Sequence, residues 1–123
     1  MGQNEIPCAD DTAFHQLQLR GIDSGEGVTV ESHIFLVSQL PCCAQIALPY
    51  WAKIAGRIKS GLDRDVLIRV VVTLFDKYGS ALSDYTDMIA LDKEERGEFE
   101  VKLTEYHDTA ETYAIAVYEA EQL

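Results

Sequence analysis

Basic residues are scarce in this chain: 10 lysines and arginines stand against 21 aspartates and glutamates in 123 residues, a formal net charge of −11. A surface so poor in positive charge argues against duplex DNA, RNA and anionic membranes as partners, because each demands a basic face. Solubility is the plain reading of the acidity. A salty cytoplasm and a basic partner are two others. Long apolar runs are missing too, and none approaches the roughly 20 residues that span a bilayer. Met1 to Asp11 is polar and acidic, without the basic start and apolar centre of a signal peptide. The expectation is a cytoplasmic location if the chain is complete, and an extracellular or membrane-anchored one if it is an excised domain. Cysteine is limited to Cys8, Cys42 and Cys43, an odd count that makes no tidy disulfide framework. Cys42 and Cys43 are neighbours, and a bridge between them would close a strained ring. Reduced thiols are expected, with a Cys8 bridge to Cys42 or Cys43 left open. There is no internal repeat and no low-complexity tract.

What is present is β-branched and alternating. Ile68 to Phe75 holds three consecutive valines and a threonine, side chains that are stiff at χ1 and suit a pleated surface. Ile68, Val70, Val72 and Leu74 share an apolar face that should meet the core. Arg69, Val71, Thr73 and Phe75 form the mixed face behind it. Asp76-Lys77-Tyr78-Gly79 reads as a tight turn, and Ala81 to Ile89 as the return strand of a hairpin. Trp51 to Lys59 alternates with Ala52, Ile54 and Ile58 on one side. Glu98 to Leu103 is the cleanest amphipathic strand, with Phe99, Val101 and Leu103 inward. Val28 to Ser38 predicts another strand or a bent pair, and Leu17-Gln18-Leu19 a short one. Tyr106 to Gln122 is rich enough in Ala and Glu for a helix. Tyr113, Ile115 and Val117 follow a period of two, however, and that predicts a strand. Asp92 to Gly97 reads as a loop. The sum is a single all-β domain over residues 1–123, an immunoglobulin-like antiparallel β-sandwich of about seven strands. Its first 27 residues are expected to be partly irregular.

The stretch from Trp51 to Glu119 resembles the FxLYD family of prokaryotic immunoglobulin-like domains. Ala55 to Gly61 matches its first strand and polar loop. Val72-Thr73-Leu74-Phe75-Asp76 sits on the name motif, Asp76 to Gly79 on the turn, and Glu98-Phe99-Glu100-Val101 on the later strand. Val72 replaces the leading phenylalanine, Phe75 the tyrosine, and Asp92 to Gly97 the usual Pro-Gly. The first 50 residues match only as an opening strand at Val28–Val37. The resemblance implies a sandwich often joined to a membrane anchor or to other domains. It implies no activity, no cofactor and no catalytic residue.

No constellation of acid, base and nucleophile is legible, and there is no Gly-x-Ser-x-Gly. The spacings of His15, His33 and His107 fit no metal motif, and His33 is expected to be exposed on a sheet. Cys42-Cys43 after Pro41 is the most unusual local feature. It is either a thiol metal site or redox switch, with Cys8 or His33, or a small apolar pair. Gly21-Ile22-Asp23-Ser24-Gly25-Glu26-Gly27 lacks the lysine of a phosphate loop and reads as a flexible hairpin loop. Asp63, Asp65, Asp84, Asp87 and Asp92 form no calcium loop and read as solvated charge. Tyr50 and Trp51 are either a carbohydrate or peptide platform or, for the tryptophan, core.

The expected function is a non-catalytic protein-interaction or accessory domain. It would be a monomer or weak homodimer, with no cofactor, using an edge strand or loops on another protein. One alternative is a protease-inhibitor-like module presenting Gly21–Gly27 or Leu40–Tyr50. The other is a thiol-based metal or redox protein using the Cys42-Cys43 segment. Thiol titration and metal analysis of the native protein should find three free thiols and no metal. A bound metal or a bridge through Cys42 would move the functional site to the cysteine segment.

Overall fold

The computed structural model describes residues 16–37 and 50–120. Cys8, Cys42, Cys43 and His15 lie outside the described residues, as does all of the Leu40–Tyr50 segment except Tyr50. The described chain forms seven strands: β1 Gln18–Ser24, β2 Val28–Val37, β3 Ala52–Ser60, β4 Val66–Asp76, β5 Ala81–Leu91, β6 Arg96–Leu103 and β7 Ala110–Glu119. They make two sheets, β1-β7-β4-β5 and β2-β3-β6, packed as a sandwich. The expected all-β sandwich of about seven strands is therefore what the chain adopts. The four-plus-three split is that of a constant-type immunoglobulin domain, but the strand order is its own. Every pairing is antiparallel except that of β1 with β7, which is parallel. No helix among the described residues is long and apolar enough to cross a membrane.

β4 lies between β5 and β7, so its backbone is paired on both sides. Its burial alternates along its whole length, with Val66, Ile68, Val70, Val72 and Leu74 on the inner face. Ile54 and Ile58 of β3, Phe99, Val101 and Leu103 of β6, and Tyr113, Ile115 and Val117 of β7 meet that face. The period of two in β7 overrides its helical composition because alternate side chains there have a core to enter. The hairpin ends where Asp76 accepts the N–H groups of Tyr78 and Ser80, both at 2.9 Å. Gly79 supplies the left-handed backbone at φ 83°.

Two expectations are corrected. Gly21–Gly27 is not a hairpin loop. β1 runs on through Ser24, only residues 25–27 turn, and β1 and β2 belong to different sheets. The polar, glycine-rich composition reflects a strand with no buried residue rather than a loop. Nor is His33 an outward-facing residue. The β2–β3 register shifts between Val30 and Ser32, so Glu31 is an extra residue and the alternation inverts beyond it. Val28 and Val30 face inward before the bulge, and His33, Phe35 and Val37 after it. Ile34 and Leu36 are left on the outside, 54% and 41% exposed.

Gly56 stands opposite both His33 and Phe99 in the ladder. A Cβ there would run into the Ser32 carbonyl oxygen and lie 2.7 Å from Phe99 Cζ. Gly56→Ala should therefore cost about 1–3 kcal/mol through overpacking. The urea midpoint should fall with an unchanged m-value. An unchanged midpoint would show that Phe99 and β2 can give way.

Candidate functional site

Three places gather side chains with chemistry. The first lies at one end of the sandwich, where the bulge brings His33 inward. His33 Nε2 and the Tyr113 hydroxyl are hydrogen-bonded at 3.0 Å, tying β2 to β7. Phe35 packs on Tyr113 at 5.1 Å and on Trp51 at 6.1 Å, and Trp51 packs on Tyr106 at 4.8 Å. Burial raises the phenol pKa of both Tyr113 and Tyr106, with Asp108 adding to the latter. Trp51 is core, and its Nε1–H donates to the Glu105 carbonyl at 2.7 Å. This end is an aromatic clamp between sheets in which His33 and Tyr113 bond one another and Trp51 Nε1–H bonds Glu105.

The second place joins β5 to the loop before β7 and brings a serine, a histidine and an acid together. Ser83 Oγ is 3.1 Å from His107 Nε2, and Glu105 Oε1 is 3.7 Å from the same nitrogen. Counting protons decides what this can do. The Glu105 carbonyl only accepts, so the Tyr85 hydroxyl donates to it, at 3.2 Å. Ser83 then donates its single proton to Tyr85 Oη, at 3.1 Å. With the hydroxyls so directed, His107 Nε2 carries a hydrogen and donates to Ser83. A nucleophilic serine needs the reverse: an unprotonated nitrogen facing it and an acid on the other nitrogen. So directed, the network fastens the loop to β5.

The third place is the flank where sheet edges β1 and β2 lie. All seven residues of β1 are exposed. Leu19 and Ile22 on β1, with Ile34 and Leu36 on β2, make up four of the seven large hydrophobics exposed among the described residues. Beside β1, on the outer face of its sheet, runs a groove of about 380 Å³ floored by Ala114 and Ala116 and walled by Gly21 and Phe75. The Arg20 guanidinium stacks 4.2 Å above the Phe75 ring. Apolar exposed positions on edge strands are of the kind that meet another protein.

The remaining candidates disperse. Asp65 accepts the Lys93 N–H, Asp84 the Thr73 hydroxyl, and Asp87 the N–H groups of Met88 and Glu100. Among the described residues, no group of three or more His, Cys, Asp and Glu could hold a metal ion. The outer face of β3 and β6 is a charge ladder, with Glu100 at 2.7 Å from Lys53 and 3.8 Å from Lys102. The Lys53 hydrogen bond holds the Glu100 carboxyl below its ordinary pKa and raises that of Lys53. Such exposed pairs add little stability and mark a solvated face. No protein-family model matches the chain, and no curated protein matches it.

The proton count has a direct test. A fluorophosphonate probe should label the wild-type protein no more than Ser83→Ala, and the substitution should cost about 0.5–1.5 kcal/mol of stability for the lost bonds. Labelling that depends on Ser83 would reinstate a catalytic serine.

Proposed function

We propose that this chain is a non-catalytic protein-interaction or accessory domain that meets another protein through the β1–β2 flank. The observation that carries the reading is β1 itself: a seven-residue edge strand exposed on both faces, on the same flank as edge strand β2 with its exposed Ile34 and Leu36. The other side of the sandwich supports it by contrast. There the Asp87 carboxylate reaches from β5 to the Glu100 N–H of β6 at 2.9 Å, occupying a donor that an incoming strand would need. An inward-pointing acid at a sheet edge discourages such pairing. A kinship with FxLYD domains belongs to the same proposal. It is drawn from Val72–Asp76 at the end of β4 and the Asp76–Gly79 turn, and it implies no activity and no catalytic residue.

The protease-inhibitor reading draws less support from the described residues. The turn at 25–27 is short and fastened, with Gly25 N–H donating to the Val117 carbonyl at 2.6 Å and Gly61 N–H to the Gly27 carbonyl at 2.7 Å. Inhibition of a protease calls for a loop that can enter its cleft.

The test is quantitative capture of an interacting protein by wild type and by a Leu19→Lys, Ile22→Lys double variant. Exposed substitutions of this kind should change stability by no more than about 0.5 kcal/mol each. The expected result is loss of the captured protein with the melting transition kept. Capture that survives the double variant but fails on substitution of Glu26 in the turn would replace the flank with a loop-directed, inhibitor-like mode.

A further inference from the structure

We propose that β1 is an exchangeable strand, and that two copies of this chain trade it, each seating Leu17–Ser24 on the other's β7. The proposal rests on the reading of the β1 flank as the interaction surface and adds to it a partner and a mechanism.

β1 can leave without dismantling the sandwich. Among the described residues it pairs only with β7, while β2, the next strand in the chain, is held by β3 in the other sheet. β7 keeps β4 on its other side, so its remaining ladder survives. The hold on β1 is also light. Its ladder is parallel, the less stable kind per residue, and its register breaks at Arg20. Among the described residues no β1 side chain joins an ion pair. Two side chains anchor the segment: Leu17, just before β1, is 2% exposed and enters the core, and Arg20 stacks on Phe75 of β4 at the surface.

The connection to β2 favours exchange. Residues 25–27 must carry the chain from one sheet to the other, and Gly27 takes φ 80° to do so. A hinge this short folds back tightly in one chain but can open straight between two, and such hinges are where protomers swap elements. The occupant is fixed by what the structure already holds. The strip along Tyr113–Val117 is filled by this β1 sequence, in a register that sets Asp23 beside Ala116. A second copy brings the same backbone and the same Leu17 to the same place. The β1–β7 ladder and the Leu17 anchor that open within one chain re-form between two, and the tight turn is released.

The experiment uses the full chain with Cys8, Cys42 and Cys43 changed to serine and the pair Asp23→Cys, Ala116→Cys added. The protein is partly unfolded, refolded at high concentration, separated by size and oxidised. The expected result is a dimer fraction whose chains are covalently joined on a non-reducing gel, beside a monomer fraction whose disulfide is internal. A dimer with only internal disulfides would show association without exchange and overturn the proposal. Absence of a dimer at every concentration reached would do the same. Hinge variants of the otherwise native chain give an independent reading if the cysteine pair does not fold. Deleting Glu26 should raise the dimer fraction, and inserting Gly-Ser-Gly after it should lower it, each by about tenfold in the dimer constant. No response to either would also overturn exchange. If exchange fails while the Leu19→Lys, Ile22→Lys variant still loses its captured protein, the interaction reading stands without it.

Discussion

The apolar inner face of β4 is the constraint on which the rest of the sandwich depends. Five alternate side chains from Val66 to Leu74 are buried in one row, and both sheets pack against that row. β4 presents this row from the interior of its sheet, its backbone groups paired to β5 on one side and β7 on the other. β5 follows through a short turn fixed by Asp76 and Gly79. β7 must come back from beyond β6, and the alternation of Tyr113, Ile115 and Val117 is what fits it there. The aromatic clamp at Trp51 and Tyr113 then closes one end, and Asp87 closes the β5–β6 side.

Much of this was legible because alternation reports which face of a strand is buried. Ile54, Ile58, Val70, Val72, Leu74, Phe99, Val101, Ile115 and Val117 were all expected inside and are all buried. Alternation does not report a strand's neighbours or a change of parity within it. Ile34, Phe35, Leu36 and Val37 are apolar in succession, so either pair could enter the core. The bulge at Glu31 selects Phe35 and Val37 and with them carries His33 inward. β1 was legible only at its first residues. A strand that buries nothing has no apolar face to alternate, and its partner lies more than 90 residues away in the chain.

The candidate sites were less legible, for a related reason. Ser83, Tyr85, Glu105 and His107 come from a strand and a distant loop, and no spacing announces that they meet. Once met, their meaning turns on proton directions that only geometry supplies. Three residue types that name a catalytic class in a sequence here fasten a loop, because two of them contact the same histidine nitrogen. The exposed flank likewise has no motif. It arises from a bulge in β2 and from the edge position of β1, each of which sets apolar side chains outside the core.

Charge bears on how that flank can be used. At −11 per chain, two copies repel one another at long range, and salt shortens that repulsion to about 8 Å at physiological ionic strength. The repulsion opposes approach but not the fit of β1 on β7, because Arg20 and Asp23 leave β1 itself without net charge. The surrounding acidity therefore suppresses casual contact between copies, while the strand that would pass between them carries none of it. A partner with a basic rim and an extended apolar segment would meet both conditions at once: attraction at a distance and an uncharged seat at contact. On the proposed reading, the same field that keeps copies apart would discriminate among partners, and the edge strand would set the form of their contact.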